Sequence, residues 1–268
     1  MMGAVQPVGD LLREWRQRRR MSQLDLALEA EVSTRHLSFV ESGRAQPSRE
    51  MVLHLAERLE VPLRERNVLL VAAGFAPVFR ERQLQDDPAL ATARKAIDLV
   101  LKGHEPYPAL AIDRHWTMVA SNAAVARLIG DLDASLLQPP VNVLRLSLHP
   151  KGLAPRIANL PEWRGHLLER LRRQIDVSAD PVLVELLEEL RAYPSGGGSA
   201  SKKPDAIREF AGVVVPLQYV TDAGTLSFFS TTTVFGTPVD ITLSELALEC
   251  FYPADAATAE ALRDLADR

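Results

Sequence analysis

The sequence has a single cysteine, few aromatic residues and no long apolar run. Because Cys250 is the only cysteine among 268 residues, an internal disulfide and a cysteine-based zinc cluster are both excluded. No apolar run approaches the roughly 20 residues that span a bilayer, and the first residues lack the layout of a signal peptide. With 47% apolar and 25% charged residues, the composition predicts a globular cytoplasmic protein without a membrane partner.

Signatures of catalysis and metal binding are also missing. The six histidines do not pair at a metal-ligand spacing beside a carboxylate, which argues against zinc. The G-x-S-x-G motif of serine hydrolases is absent. Residues 195–205 are rich in glycine and serine, but they lack the G-K-[ST] ending of a phosphate-binding loop. We therefore expect no catalytic residues, no metal and no cofactor, and we interpret residues 195–205 as a mobile loop that could cover a site.

The net charge of −4 argues at first against a nucleic-acid partner, but the charge is unevenly distributed. Residues 1–50 contain eight arginines and seven acidic residues, which gives them +1 and leaves −5 for the remainder. Arginines 18–20 and the pair Arg44 and Arg49 form local positive spots. These spots suffice for contacts to phosphates, although they predict weak non-specific binding.

Residues 22–47 have the pattern of two short helices joined by a tight turn. Ser22, followed three residues later by Asp25, predicts a capping box at the start of the first helix. Ser33 caps the second helix, which we expect to end before Gly43. This spacing suits a helix-turn-helix, in which the second helix lies in the DNA major groove.

Each of these two helices has an apolar side that we expect to be buried. The first presents Leu24, Leu26 and Ala27, and the second carries Leu37 and Val40 three positions apart. The opposite side of the second helix is polar and basic, so it is the side that we expect to face DNA.

Helical periodicity predicts five helices in residues 1–78, followed by a helical linker over residues 79–107. After residue 108 the period changes to that of strands. Strands are predicted at residues 109–112 and 117–120, in a run from residue 213, and at 226–234 and 246–252, with helices between them and after them. The last strand should place Leu246, Leu248, Cys250 and Tyr252 on one face. The predicted fold class is α followed by α/β with an antiparallel sheet.

Several motifs carry a resemblance to known families. S-Q-L-D-L-A at residues 22–27 and V-S-x-x-x-L-S-x-x-E-x-G-R-x-x-P at residues 32–47 resemble the XRE (lambda-repressor-like) helix-turn-helix family. Residues 111–124, 142–150 and 226–246 are similar to the MmyB-like ligand-binding domain. The resemblance covers nearly the whole chain, and it implies a five-helix DNA-binding domain followed by a PAS-like α/β domain over residues 108–268.

The resemblance implies a specific set of DNA contacts on double-stranded DNA. The start of the second helix would reach base edges, while residues on either side of that helix would hold phosphates. The expected contacts are Gln23, Ser33, Thr34, Arg35, Ser38 and Arg44. A homodimer would read two half-sites about 34 Å apart.

The resemblance also implies an ion pair inside the DNA-binding domain. Arg16 lies beside Trp15, an unusual place for a charge that is only solvated, and Glu41 lies at the unfavourable C-terminal end of its helix. Both positions match an Arg–Glu pair that the lambda-repressor-like family often has between these helices. We expect Arg16 and Glu41 to form a partly buried pair.

For the C-terminal domain the resemblance implies a small apolar ligand, with fatty acids as the leading class. The candidate pocket residues are Trp116, Met118, Leu144, Leu148, Phe228 and Phe251, with Arg114 and Arg145 to meet a carboxylate head group. An ordinary packed core would have the same apolar pattern. Two alternatives therefore stay open: the domain serves only for dimerisation or partner docking, or the chain is an enzyme with a fused helix-turn-helix.

Overall fold

The structure is a computed structural model that describes residues 6–194, 215–222, 224–236, 238 and 240–266. The loop predicted at residues 195–205 and the start of the strand predicted from residue 213 lie outside these residues. The chain forms two compact units, and the main segment of the first ends at Arg82. The first unit also includes Asp176–Ser178 and Pro238–Ser244, and the second contains the rest of the chain. Within the described residues, every helix is too short or too polar to cross a membrane.

The first unit contains the five predicted helices. They are α1 (Val8–Arg18), α2 (Gln23–Glu29), α3 (Thr34–Glu41), α4 (Arg49–Arg58) and α5 (Leu63–Ala72). Serine side chains cap three of them, since the hydroxyls of Ser22, Ser33 and Ser48 each accept a hydrogen bond from a backbone N–H three residues later. At α2 the carboxylate of Asp25 also accepts from the backbone N–H of Ser22. The predicted capping box is thereby confirmed.

The core of the first unit brings together one apolar side of every helix. Its fully buried members include Leu12, Leu26, Leu37, Val40, Val52, Leu55, Leu59, Leu69 and Leu70. The prediction for Leu24 was wrong, because this side chain is 57% exposed. Residues two apart on a helix do not share a face, so burial of Leu26 turns Leu24 towards solvent.

Beyond residue 83 the chain alternates between helices and strands. A 3₁₀ turn (Pro88–Leu90) and α6 (Ala91–Gly103) precede β1 (Ala109–Ile112), β2 (Met118–Ser121) and α7 (Ala123–Ile129). The helical middle is α8 (Val143–Leu148), α9 (Leu160–Ser178) and α10 (Pro181–Ala192). The last elements are β3 (Leu217–Thr221), β4 (Gly224–Val234), α11 (Ile241–Ser244), β5 (Ala247–Pro253) and α12 (Ala256–Ala266).

The strands form one sheet of five in the order β2-β1-β5-β4-β3. Every neighbouring pair is antiparallel, which confirms the predicted α/β domain with an antiparallel sheet. The two hairpins, β1–β2 and β3–β4, are local in sequence and lie at opposite ends of the sheet. β5 lies between them and pairs with both β1 and β4.

The two faces of the sheet pack against different helices. On one face, Leu246, Leu248 and Cys250 are buried in a cluster with residues of α6. Tyr252, which was predicted to lie on the same face of the strand, is 36% exposed. It stacks on Phe229 with ring centroids 5.3 Å apart, instead of joining the cluster. The other face packs against α8, α9 and α10 in the largest core of the second unit.

Candidate DNA-contacting helix and ligand cavity

The helix predicted to contact DNA has one buried and one accessible side. Leu37 and Val40 are each 1% exposed and anchor α3 in the core of the first unit. Arg35 is exposed, and Thr34 and Ser38 are half-buried. The structure therefore leaves the predicted base-contacting side chains accessible, while the opposite side of α3 packs in the core. Ser33 is exposed and forms the N-cap of α3.

A phenylalanine on α3 contacts two of the predicted DNA-binding arginines. The guanidinium carbon of Arg35 lies 5.3 Å from the centroid of the Phe39 ring, and that of Arg44 lies 6.0 Å from it. Both distances allow a cation–π interaction. Sequence analysis missed Phe39, although its position four residues after Arg35 on a helix is a signal that could have found it.

The predicted ion pair between Arg16 and Glu41 is confirmed. Arg16 Nε and Nη2 donate to the two carboxylate oxygens of Glu41 at 2.7 and 2.8 Å, and Nη1 donates to the carbonyl of Met21 at 2.9 Å. Arg16 is 9% exposed and Glu41 is 1% exposed. Gly9 lets α1 approach α3 closely, since a Cβ atom there would lie 2.4 Å from the carbonyl oxygen of Val40.

Glu41 is the acceptor for a small network of donors. Burial raises the pKa of Glu41, but hydrogen bonds from Arg16 and Gln23 outweigh it, so the net pKa is lowered. The Gln23 amide donates to Glu41 at 2.8 Å. One of the two N–H groups of this amide is therefore already used inside the protein, and its phosphate contact stays a prediction.

The second unit contains a partly open cavity with a volume of about 100 Å³ between the sheet and α8 and α9. Its wall includes Leu110, Trp116, Met118, Val125, Val143, Leu144, Leu153, Trp163, Leu167 and Phe251. Four of the predicted ligand contacts, Trp116, Met118, Leu144 and Phe251, are therefore at the wall. Leu148 and Phe228 do not line it: Leu148 is 3% exposed, and Phe228 is packed in a separate cluster with Tyr219, Leu226 and Leu262.

The two arginines predicted for a carboxylate head group lie outside the cavity wall. Arg114 pairs with Asp180 at 3.2 Å and with Glu245 at 3.7 Å. Arg145 Nη2 donates to Glu189 at 2.7 Å. Closeness in sequence to apolar residues did not predict their direction, since adjacent positions on a helix such as α8 point to different sides.

Within the part of the chain that the structure describes, the charged residues at the cavity wall are Arg170 and Glu249, which sequence analysis missed. Arg170 donates to both carboxylate oxygens of Glu249 and, at 3.1 Å, to the hydroxyl of Thr232. Its guanidinium lies 4.8 Å from the centroid of the Trp116 ring. Each charge interrupts an apolar pattern, which is a signal that could have found it. Arg170 lies three residues after Leu167 on α9, and Glu249 lies between Ala247 and Phe251 on one face of β5.

Trp116 forms a firmly held part of the cavity wall. Its φ of 65° is in the left-handed region, which bulky residues adopt only under constraint from their surroundings. The indole N–H donates to Gln174 Oε1 at 2.7 Å, and the Gln174 amide donates to the carbonyl of Arg114 at 2.7 Å. Residues with strained backbone conformations of this kind concentrate at functional sites, ligand sites among them.

Both units match known families. Residues 12–66 match a helix-turn-helix family, and residues 93–265 match the MmyB-like transcription regulator ligand binding domain. Transcriptional regulator ClgR of Mycobacterium tuberculosis is 33% identical over 95 residues, which are 35% of this chain and 82% of ClgR.

A helix-turn-helix-type transcriptional regulatory protein of Methanoculleus marisnigri is 35% identical over 133 residues, which are 46% of this chain. The chain spans 42% of the length of that relative. The structure of an RNA-binding light-oxygen-voltage receptor aligns with 97% of this chain and 63% of its own, at 12% identity and a TM-score of 0.24. A score that low carries no argument about fold. Because residues 93–265 cover more than half of the sequence, the chain belongs to the MmyB-like transcription regulators, with a helix-turn-helix ahead of the ligand-binding domain.

Proposed function

We propose that this chain is a sequence-specific DNA-binding regulator whose PAS-like C-terminal domain binds a small apolar ligand, with fatty acids as the leading class. In this proposal it acts as a homodimer on double-stranded DNA in the cytoplasm. The observation that carries the proposal is the accessible side of α3. Thr34, Arg35 and Ser38 are left accessible while Leu37 and Val40 hold the helix in place.

Arg35 and Arg44 have different roles in this proposal. Arg35 near the start of α3 donates to O6 and N7 of a guanine, a contact that is worth about 1–3 kcal/mol of discrimination. Arg44, just after α3, holds a phosphate and carries no sequence information. The Phe39 ring supports both roles, because its contacts with the two guanidinium groups restrict the conformations of both arginine side chains in the absence of DNA.

Site selection from a random DNA library separates these roles. Arg35→Ala should relax the preferred base at one position in each half-site, whereas Arg44→Ala should weaken binding to all sequences alike and lower its salt dependence. Arg58→Ala removes the same charge from an exposed position on α4 and serves as the control. Selected sites that keep their base preferences in Arg35→Ala would show that the assignment of Arg35 is wrong.

The ligand part of the proposal is supported by the apolar cavity inside the matched domain. A ligand held by burial gains about 0.8 kcal/mol for each buried methylene, so affinity should rise with chain length until the cavity is full. The cavity volume of about 100 Å³ is below the roughly 300–1,000 Å³ of typical ligand pockets. A long chain therefore requires the partly buried side chains at the wall, such as Met118 and Phe251, to move.

Two measurements test the ligand. Solvent extraction of the denatured, purified protein followed by mass spectrometry should yield an apolar molecule in stoichiometric amount. A thermal-shift series of fatty acids should show stabilisation that rises with chain length and then drops. An extract without an apolar molecule, together with a thermal shift that does not depend on chain length, would contradict a ligand. That result would favour the alternative, a domain that serves only for dimerisation or docking.

A further inference from the structure

The cavity wall concentrates its charge at one place. Apart from Arg170 and Glu249, the polar side-chain groups that the described residues place at the wall are the hydroxyls of Ser147 and Ser230 and the indole N–H groups of Trp116 and Trp163. Ser147 already accepts a hydrogen bond from the indole N–H of Trp163 at 3.0 Å. A charged ligand group that enters this cavity therefore meets the Arg170–Glu249 pair.

Arg170 has more N–H donors than its present hydrogen bonds use. Its Nη atoms donate to Glu249 and Thr232, and no hydrogen bond joins Nε to another of the described residues. An arginine presents five N–H donors in a planar fork and can serve more than one oxygen acceptor. The contact between its guanidinium and the Trp116 ring orients this fork beside a residue of the cavity wall.

The pair is not explained by stability alone. Desolvating two charges often costs as much as their attraction returns, and apolar replacements of such pairs are commonly neutral or stabilising. Pockets, in contrast, use a few fixed polar groups on an apolar wall to orient a ligand. The side chain of Glu249 is 5% exposed and that of Arg170 is 26% exposed, so the arginine is the accessible member.

We infer that Arg170 anchors the anionic head group, a carboxylate, of an amphiphilic ligand in this cavity, and that Glu249 competes with the ligand for it. The inference rests on the proposed ligand function of this cavity. A carboxylate that binds Arg170 must share the guanidinium with Glu249. Two negative charges then lie beside one positive charge, and their repulsion weakens binding of the ligand. A neutral amphiphile of the same length leaves the ion pair intact. The preference of the protein for acids over alcohols is therefore set by the balance between Arg170 and Glu249.

The test compares decanoic acid with decanol on the full chain, with tryptophan fluorescence as the readout because Trp116 and Trp163 both line the cavity. Glu249→Gln removes the competing charge and keeps Arg170. The double variant Arg170→Gln with Glu249→Gln removes the anchor without leaving a buried charge unpaired. Glu189→Gln is the matched control, since Glu189 pairs with Arg145 outside the cavity wall.

In Glu249→Gln the affinity ratio of decanoic acid to decanol should rise by about tenfold, because a charge-assisted contact no longer has an internal competitor. In the double variant the ratio should fall below that of the unaltered protein, while decanol still binds. Glu189→Gln should leave it unchanged. If decanol binds but neither variant changes the ratio, Arg170 is not the anchor and the apolar site stands. If neither compound binds any of the proteins, the proposed ligand function itself fails, and the inference fails with it.

Discussion

The two units each contain an arginine–glutamate pair with a buried carboxylate, and the two pairs differ in what surrounds them. In the first unit, Arg16 and Glu41 lie in a packed core, where Met21 and Gln23 satisfy further polar groups. In the second unit, Arg170 and Glu249 are at the wall of a cavity. The comparison teaches that burial alone does not assign a role to an ion pair. The pair in the packed core joins α1 to α3, whereas in our proposal the pair at the cavity meets the ligand.

The largest effect that would test this comparison is expected from Glu41→Ala. Removal of this carboxylate leaves Arg16 buried without compensation, which should lower the stability of the first unit by about 3–5 kcal/mol. Hydrogen exchange measured by mass spectrometry reports on each unit separately, and peptides from α1 and α3 should lose protection. A double-mutant cycle with Arg16→Met isolates the pairwise energy, and a cycle without coupling would contradict the structural role of the pair.

The same stabilisation should disappear in acid, since it depends on the charge of Glu41. The folded-state pKa of Glu41 is lowered below its ordinary value of 4.5. A carboxylate of this kind stabilises the protein above its unfolded pKa, and the stabilisation is lost as the pH falls through the folded pKa. Protection of α1 and α3 should therefore decline below about pH 4.5. In Glu41→Gln the decline should be shallower, and an equal decline in both proteins would assign it to other carboxylates.

Glu249→Gln should lower the free energy of unfolding by less than Glu41→Ala does. Arg170 keeps its contacts with Thr232 and Trp116 and is partly exposed, so the loss should be limited to about 1–3 kcal/mol. Exchange of β4 and β5 peptides measures it. A loss as large as that of Glu41→Ala would mean that the Arg170–Glu249 pair is as structural as the Arg16–Glu41 pair.

The smallest effect is expected from Glu189→Gln. Arg145 and Glu189 are 45% and 37% exposed in their side chains, and a pair of that kind contributes about 0–1 kcal/mol. Exchange of α8 and α10 peptides should therefore remain close to that of the unaltered protein. A clear loss of protection would show that side-chain exposure does not predict how much each of the three ion pairs contributes to stability.

Local signals in the sequence predicted the first unit well and the cavity only in part. The capping box at Ser22 and the helical spacing of Leu37 and Val40 depend on residues a few positions apart, so both could be predicted. The Arg16–Glu41 pair is distant in sequence, and it was predicted through a family resemblance. Arg170 and Glu249 are 79 residues apart, and nothing in local spacing brings α9 to the centre of β5.

The errors have the same origin. Arg114 and Arg145 were chosen for closeness in sequence to apolar runs, but the direction of a side chain depends on the whole element and its neighbours. Met118 lies in β2, where strand alternation gives its side chain a definite face. Trp116 precedes β2 and has a left-handed backbone, so its place at the cavity wall depends on the loop around it. Phe228 also lies in a strand with alternating faces, yet it is 1% exposed and packed in a core cluster. Its burial depends on the packing of α12 against the sheet, which the strand pattern does not predict.

The central place of β5 has a consequence for how the protein is made. The ribosome delivers β1–β2 and β3–β4 first, but these hairpins do not pair with each other, and β5, which joins them, is synthesised after both. Until then, each hairpin presents an open strand edge of the kind that promotes aggregation. In a nascent chain stalled before Ala247, β1 and β4 would both lack the partner that β5 provides in the folded protein. A nonsense codon before residue 247 should therefore yield an aggregating product rather than a constitutively unliganded regulator.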